Sequence, residues 1–162
     1  MRDVAAAVGV NNATLHYHFP TKEDLIRAVL AFVVDELLTS RTINVGRSGD
    51  DPLERLRRYF KAVAKEARTA PEPMIVLNEL TARAARDETI SGPLREYEER
   101  WLGAFRTLLE AGVAQGQFRS DLDVEGTAWA IKAMVREMSS HLTAEPVRIN
   151  RSIEQLERWL RP

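Results

Sequence analysis

The chain has 162 residues, a formal net charge of −1 and no cysteine. The absence of cysteine excludes a disulfide framework and a thiolate metal site, which fits a reducing cytoplasm, and the near-neutral charge means that any contact with DNA has to come from a local surface. No apolar run approaches the roughly 20 residues that cross a bilayer, and residues 1–20 lack the features of a secretory signal, so the sequence predicts a cytoplasmic protein with no membrane partner.

Apolar residues recur at helical spacing along the whole chain, and no stretch alternates as a strand does, so the sequence predicts an all-α fold. The first three helices are expected at residues 4–8, 13–19 and 22–40. Thr21 and Asp24 form an approximate capping box at the start of the third helix, and Pro20 separates it from the second. Segment 44–52, rich in glycine, serine and aspartate, is typical of a loop.

Two apolar stripes dominate the middle of the chain. The first covers residues 53–67 and ends before a pair of prolines, after which another helix is expected to begin near Met74. We expect a break in the helix at residues 91–93, where serine, glycine and proline follow one another. The second and longest stripe then spans residues 94–113.

In the last part of the chain, apolar residues occupy more than one side of a predicted helix. A helix expected from Asp123 has a second apolar side that includes Trp129 and Ala133, and a partner subunit is one candidate to cover it. Ser152 and Gln155 form a capping box, which predicts a short amphipathic helix after them. We therefore expect a homodimer whose interface includes Trp129, Ala133, Ile153, Leu156, Trp159 and Leu160.

The stretch from Val4 to Phe19 has the spacing of a helix-turn-helix motif. A short apolar helix reaches Gly9, and a second helix starts almost at once. Ala5 is small where the two helices cross, Gly9 suits a turn position with positive φ, and Asn11 is an N-cap residue type at the start of the second helix. The polar residues of that helix are then expected to lie outward.

The run from Val4 through Leu25, which contains TLHYHFPTKEDL, resembles the signature of the TetR (tetracycline-repressor) family of transcriptional regulators. The resemblance implies a homodimeric repressor that binds a palindromic double-stranded DNA operator, with the second helix of the motif in the major groove. It implies that Asn11, Asn12 and Ala13 lie near base edges, Asn12 being the best candidate for a bidentate contact to adenine. It further implies backbone contacts from Thr14, His16, Tyr17, His18 and Lys22.

The same resemblance divides the chain into a helix-turn-helix DNA-binding head, residues 1–30, and a regulatory body for ligand binding and dimerisation, residues 31–162. Family members have a complete helix before the motif, and this first helix is expected to be absent because Met1 falls inside the second. Without it, several apolar side chains of the head are expected to be partly uncovered, namely Val4, Val8, Leu15 and Phe19. The family also usually has tyrosine where His16 stands.

By the same resemblance, the body is expected to enclose a cavity for a small apolar or amphipathic effector. The candidates for its lining are Phe60, Met74, Asn78, Thr81, Tyr97, Trp101, Phe105, Met134 and Met138. An aromatic or methionine residue on a helical stripe is more often ordinary core, so each assignment has that alternative. A bound effector would change the separation of the two heads, which read half-sites about 34–36 Å apart, and so weaken operator binding.

Other functions have weaker support in the residues. His16 and His18 point in different directions from one helix and lack a third ligand, so no metal and no cofactor are expected. No nucleophile–histidine–acid pattern and no glycine-rich phosphate loop can be placed, so the chain is not expected to be an enzyme, and a small helical enzyme is a remote alternative. A dimeric ligand-binding module without competent DNA binding is the main alternative.

Overall fold

A computed structural model of the chain describes residues 1–40, 51–140 and 146–162. Within these ranges every regular element is a helix, which confirms the predicted all-α class. The helices are α1 (Arg2–Ala7), α2 (Asn12–His18), α3 (Lys22–Ser40), α4 (Pro52–Thr69), α5 (Glu72–Ala84), α6 (Glu88–Ala114), α7 (Val124–Ser140) and α8 (Pro146–Leu160). In the same ranges no helix is long and apolar enough to cross a membrane. The predicted loop at 44–52 lies almost entirely outside the described residues.

Two clusters of buried side chains hold the helices together. The large core lies among α4, α6, α7 and α8, and its buried members are Leu56, Tyr59, Phe60, Val63, Trp101, Leu102, Phe105, Leu108, Leu109, Phe118, Ala128, Ile131, Val135, Met138, Leu156 and Leu160. The small core joins α3, α5 and α6, and its buried members are Leu30, Val33, Met74, Leu77, Leu80, Ile90 and Leu94. Tyr97 on α6 packs against both clusters, so α6 connects the two cores.

Helix α6 runs without interruption through residues 91–93, so the predicted break there is wrong. Asp87 caps the helix, its Oδ1 accepting a backbone N–H of the first turn at 3.0 Å. Pro93 lacks a backbone N–H and so removes only one hydrogen bond of the helix. Because Ile90 and Leu94 on either side of it are buried in the small core, packing outweighs the local preference for a break.

Helix α8 begins at Pro146, so the prediction that it starts at the capping box of Ser152 and Gln155 is wrong. Both of those residues lie at exposed positions inside the helix. Proline suits the first turn, because its φ is already helical and its missing N–H would have no partner there. The apolar stripe also starts earlier than the box, since Ile149 packs against the large core four residues before Ile153 does.

Candidate nucleic-acid interface and effector cavity

A tight turn joins α1 to α2. Gly9 has a φ of +70°, in the left-handed region that glycine adopts at little cost. The next residue, Val10, donates its N–H to the carbonyl of Ala5 at 3.0 Å and so closes the turn. Asn11 then caps α2, its Oδ1 accepting the N–H of Ala13 at 2.8 Å. Both predictions for this turn, the positive φ and the cap, are confirmed.

Each helix of the head turns one residue fully inward. Ala5 on α1 and Leu15 on α2 are buried, whereas the other residues of α2 are exposed or half-buried. Seven of the eight residues assigned to DNA contact are exposed, and they are Asn11, Ala13, Thr14, His16, Tyr17, His18 and Lys22. Tyr17 is 83% exposed and meets the ring of His18 edge-on, with the centroids 5.2 Å apart. Six of these seven residues are polar, and we call the set the polar row.

Asn12 differs from the polar row. The residue is half-buried, and its Oδ1 is buried without a hydrogen-bond partner among the residues that the structure describes. A bidentate contact to adenine needs Oδ1 to accept and Nδ2 to donate on the same base edge. The side chain therefore has to rotate outward before it can read a base, and the unsatisfied oxygen lowers the cost of that rotation.

Lys22 is exposed and lies between the two residues of a capping box, Thr21 and Asp24. Thr21 accepts the N–H of Asp24 on its Oγ1 at 3.1 Å, and Oδ2 of Asp24 accepts the N–H of Thr21 at 3.1 Å and its hydroxyl at 2.6 Å. The hydroxyl of Thr21 keeps the pKa of the Asp24 carboxyl below its ordinary value. The predicted capping box is confirmed, and it fixes the position at which α3 begins with Lys22.

The head also exposes apolar surface. Val4, Val8 and Val10 are exposed by 41%, 63% and 41%, and Phe19 is half-buried. The expectation that Leu15 would be uncovered as well is wrong, because only 8% of it is exposed. The packing of the head thus buries Leu15 but not the valines around it.

A cavity of about 60 Å³ lies between α5, α6 and α7. Its lining consists of Met74, Leu77, Asn78, Thr81, Leu94, Tyr97, Glu98, Trp101, Lys132, Val135 and Arg136. Five of the predicted pocket residues are brought together there, and they are Met74, Asn78, Thr81, Tyr97 and Trp101. The cavity is small for a ligand site, because sites for small molecules usually enclose about 300–1,000 Å³. A bound effector would therefore have to widen it.

The other four predicted pocket residues do not line this cavity. Phe60, Phe105 and Met138 are buried in the large core, and Met134 is half-buried against it. Their place in the structure matches the ordinary-core alternative. These four side chains pack into the large core, although they share helical stripes with residues that do reach the cavity.

Sequence reasoning missed the charged part of the lining. Glu98 on α6 and Lys132 on α7 form an ion pair, with Oε1 and Nζ 2.9 Å apart, and the same ammonium lies 4.4 Å from the ring centroid of Trp129. Arg136 follows one helical turn later on α7 and is exposed. The spacing of four between the two basic residues puts them on one face of a helix, but only the fold shows that this face meets α5 and α6. The missed apolar residues are Leu77, Leu94 and Val135.

A second space, of about 300 Å³, opens between α3 and α6, and we call it the α3–α6 groove. Its lining consists of Arg27, Leu30, Ala31, Val34, Asp35, Pro93, Glu96, Tyr97 and Arg100. Tyr97 lines both this groove and the cavity. The side chain of Tyr97 therefore stands between the cavity and the helix that begins at Lys22.

The predicted dimer residues fall into two groups. Three of them are exposed, namely Trp129 (52%), Trp159 (58%) and Ala133. Leu156 and Leu160 are buried in the large core of their own chain, and Ile153 packs against it. The leucines are therefore not available to a partner, whereas the outward faces of α7 and α8 each present a tryptophan to solvent.

Comparison with known protein families decides what kind of protein this is. Residues 1–29 match the family described as bacterial regulatory proteins of the tetR family, and residues 52–161 match the family described as BetI-type transcriptional repressor, C-terminal. The chain belongs to the tetR family of bacterial regulatory proteins. Members of this tetR family are transcription regulators and not enzymes, in agreement with the expectation from the residues.

Individual tetR-family relatives agree with that assignment. The transcriptional repressor KstR2 of Rhodococcus jostii (strain RHA1) is 28% identical over 139 residues, which cover 80% of this chain and 66% of that repressor. The chain thus spans just under two thirds of this relative's length. A tetR-family regulator from Agrobacterium tumefaciens has a TM-score of 0.81 at 26% identity, over 98% of this chain and 85% of that one. AibR, solved with isovaleryl coenzyme A and operator DNA, has a TM-score of 0.75 at 19% identity, over 99% of this chain and 85% of its own.

Proposed function

We propose that this tetR-family chain is a ligand-responsive repressor that binds a palindromic DNA operator as a homodimer. The observation that carries the proposal is the polar row, which stands on a helix-turn-helix closed at Gly9 and capped at Asn11. Helix α2 buries Leu15 on one side and presents polar side chains on the other, as a groove-reading helix must. AibR shares the fold and was solved with operator DNA, which supports the same use of the head.

The head has little positive charge with which to bind phosphates. Residues 1–30 contain three basic and three acidic side chains, and Arg27 is paired with Asp24 at 2.7 Å. Lys22 is the cationic side chain of the polar row, so we assign it the charged contact to a phosphate. Operator affinity is then expected to fall with salt concentration with a slope set by about two phosphate charges per dimer.

Dimer formation would place two copies of α2 on one face of the duplex. Exposed tryptophan is enriched in subunit interfaces, and Trp129 and Trp159 are exposed on α7 and α8. A two-fold pairing through these helices relates the two heads by symmetry, and a palindromic operator has the same symmetry.

The effector would act on the operator through α3. This helix packs against α5 and α6, which enclose the cavity, and it begins with Lys22. An effector whose apolar part is larger than the cavity of about 60 Å³ would push these helices apart as it enters. Because the two heads must match half-sites about 34–36 Å apart, a tilt of α3 that moves each head by a few ångströms weakens operator binding.

The test is selection of a binding sequence from random double-stranded DNA by the full chain, followed by titration of the selected duplex at several salt concentrations. Lys22→Ala is expected to weaken binding to all sequences alike by about three- to tenfold and to reduce the salt slope. Lys61→Ala removes an exposed lysine from α4, outside the head, and should leave affinity unchanged. If no sequence is enriched, or if the two lysine variants behave alike, the proposed function is wrong.

A second candidate function is a dimeric ligand-binding module that does not bind DNA. The exposed Val4, Val8 and Val10 favour it, because a head with uncovered apolar surface opens more easily than the body. This function predicts that a ligand raises the Tm of the chain while no duplex is enriched in the selection.

A further inference from the structure

We propose that the cavity between α5, α6 and α7 binds an organic carboxylate, with Arg136 holding the carboxylate and the apolar lining holding the hydrocarbon part. The inference rests on the proposed function, because it names the chemical class of the effector that would release the operator. Its basis is the juxtaposition, at one cavity, of an apolar wall and the guanidinium of Arg136, which has no ion-pair partner among the residues that the structure describes.

The inner wall of the cavity is apolar. Met74, Leu77, Leu94 and Trp101 line it, and each of them is more than nine-tenths buried. Water inside such a wall finds few hydrogen-bond partners, so a hydrocarbon group gains free energy by replacing it. The inner part of the cavity is therefore suited to an alkyl or aryl group.

Three charged side chains reach the same cavity, and two of them neutralise each other. Glu98 pairs with Lys132 at 2.9 Å, and the ammonium of Lys132 is further held over the ring of Trp129 at 4.4 Å. Arg136 lines the cavity one helical turn beyond Lys132. In the part of the chain that the structure describes, no carboxylate lies within ion-pair distance of Arg136. With one acidic and two basic side chains, the described lining therefore carries a net charge of +1.

A guanidinium selects a carboxylate through geometry as well as charge. Its parallel N–H groups can donate to both carboxylate oxygens at once. A neutral amide ligand offers only one oxygen and no charge, and a cationic ligand would be repelled. Asn78, which also lines the cavity, has an amide that can donate to the same group. A ligand with a single carboxylate would thus complete the charge balance of the lining.

The exposure of the charged group predicts how the ligand lies. Arg136 is exposed, whereas the apolar wall is buried. The hydrocarbon part is then innermost and the carboxylate lies at the mouth, where one side of it stays hydrated. This orientation avoids the desolvation cost of burying an ion pair completely.

The test uses the full chain and three carboxylates of different shape, hexanoate, octanoate and 4-phenylbutyrate, each compared with its own neutral primary amide. Calorimetry is expected to give, in at least one pair, a Kd about tenfold lower for the carboxylate than for the amide. Arg136→Gln should abolish that preference and leave the affinity for the amide unchanged. Arg95→Gln, which alters an exposed arginine of α6 that does not line the cavity, should retain it.

The inference is overturned if no carboxylate binds, if every amide binds as tightly as its carboxylate, or if the preference survives Arg136→Gln. Whether the same chain selects a DNA duplex shows if only the ligand site is wrong or if the proposed function is wrong as well. A chain that selects a duplex but does not bind the carboxylates is a repressor with an effector of another class. A chain that binds the carboxylates without selecting a duplex supports the ligand site and contradicts the operator.

Discussion

The guanidinium of Arg57 and the carboxylate of Glu157 lie side by side across α4 and α8, with Nε 2.8 Å from Oε1 and Nη2 2.7 Å from Oε2. Glu157 is 15% exposed in its side chain and Arg57 is 35% exposed, so the pair is partly shielded from solvent. The hydrogen bonds from Arg57 hold the pKa of the Glu157 carboxyl below its ordinary value. This pair fastens α8 to α4.

Replacing Glu157 by glutamine is expected to lower the free energy of unfolding by about 1–2 kcal/mol at pH 7. A carboxyl whose pKa is lowered by folding stabilises the native state above its unfolded pKa, which is near 4.5, and loses this contribution as the pH falls through the folded pKa. Urea titrations should therefore show that the difference in free energy of unfolding between variant and parent becomes smaller in acid. Glu154→Gln, at an exposed position of the same helix, is the control. A difference that stays constant into strong acid would show that the ionised carboxyl of Glu157 does not stabilise the fold.

Replacing Gly112 by alanine is expected to destabilise the fold. A Cβ at this position of α6 would overlap Cδ2 and Cε2 of Phe118, whose ring is buried in the large core. Such overpacking costs about 1–3 kcal/mol, which exceeds the gain of up to about 1 kcal/mol from the better helix former. Gly103→Ala is the matched control, because a Cβ there meets open space and should stabilise the same helix. Thermal unfolding that ranked the two variants in the opposite order would show that Phe118 moves aside freely.

Tyr97 is expected to couple the effector to the head. Its side chain lines both the cavity and the α3–α6 groove, so a ligand that widens the cavity displaces it toward α3. At a saturating effector concentration, Tyr97→Ala should reduce the loss of operator affinity that the effector causes by at least about threefold. The measurement is an operator titration with and without a bound carboxylate. Thr81→Ala, which changes the cavity but not the groove, should retain the coupling, and equal coupling in both variants would argue against the role of Tyr97.

Replacing Trp159 by glutamate is expected to weaken the dimer. The tryptophan is 58% exposed on α8, so the charge does not disturb the core of a single chain but would be buried in a two-fold interface. Sedimentation should show a dissociation constant raised by about tenfold or more. Ile75→Glu introduces the same charge at an apolar position of α5 that is 47% exposed, and it should not change the oligomeric state. Equal behaviour of the two variants would place the interface elsewhere.

The sequence by itself determined the features that depend on neighbouring residues. Gly9 forms the turn, Asn11 caps α2, and Thr21 with Asp24 forms a box, because each of these features joins residues at most five positions apart in the sequence. The all-α class follows from apolar spacing that any long stretch of the chain displays. Local sequence gave a wrong prediction at residues 91–93. Serine, glycine and proline are typical of a break there, but the apolar residues on either side keep the segment in α6.

Only the tertiary structure decided which apolar faces enclose free volume and which charges border it. Trp101 and Phe105 lie one turn apart on the same stripe of α6, yet the first lines the cavity and the second is closed inside the large core. Lys132 and Arg136 reach the cavity from another helix, far along the chain from Tyr97. Periodicity predicts that a helical face is apolar. The angles at which three helices cross determine which residues lie opposite that face and how much space remains between the helices.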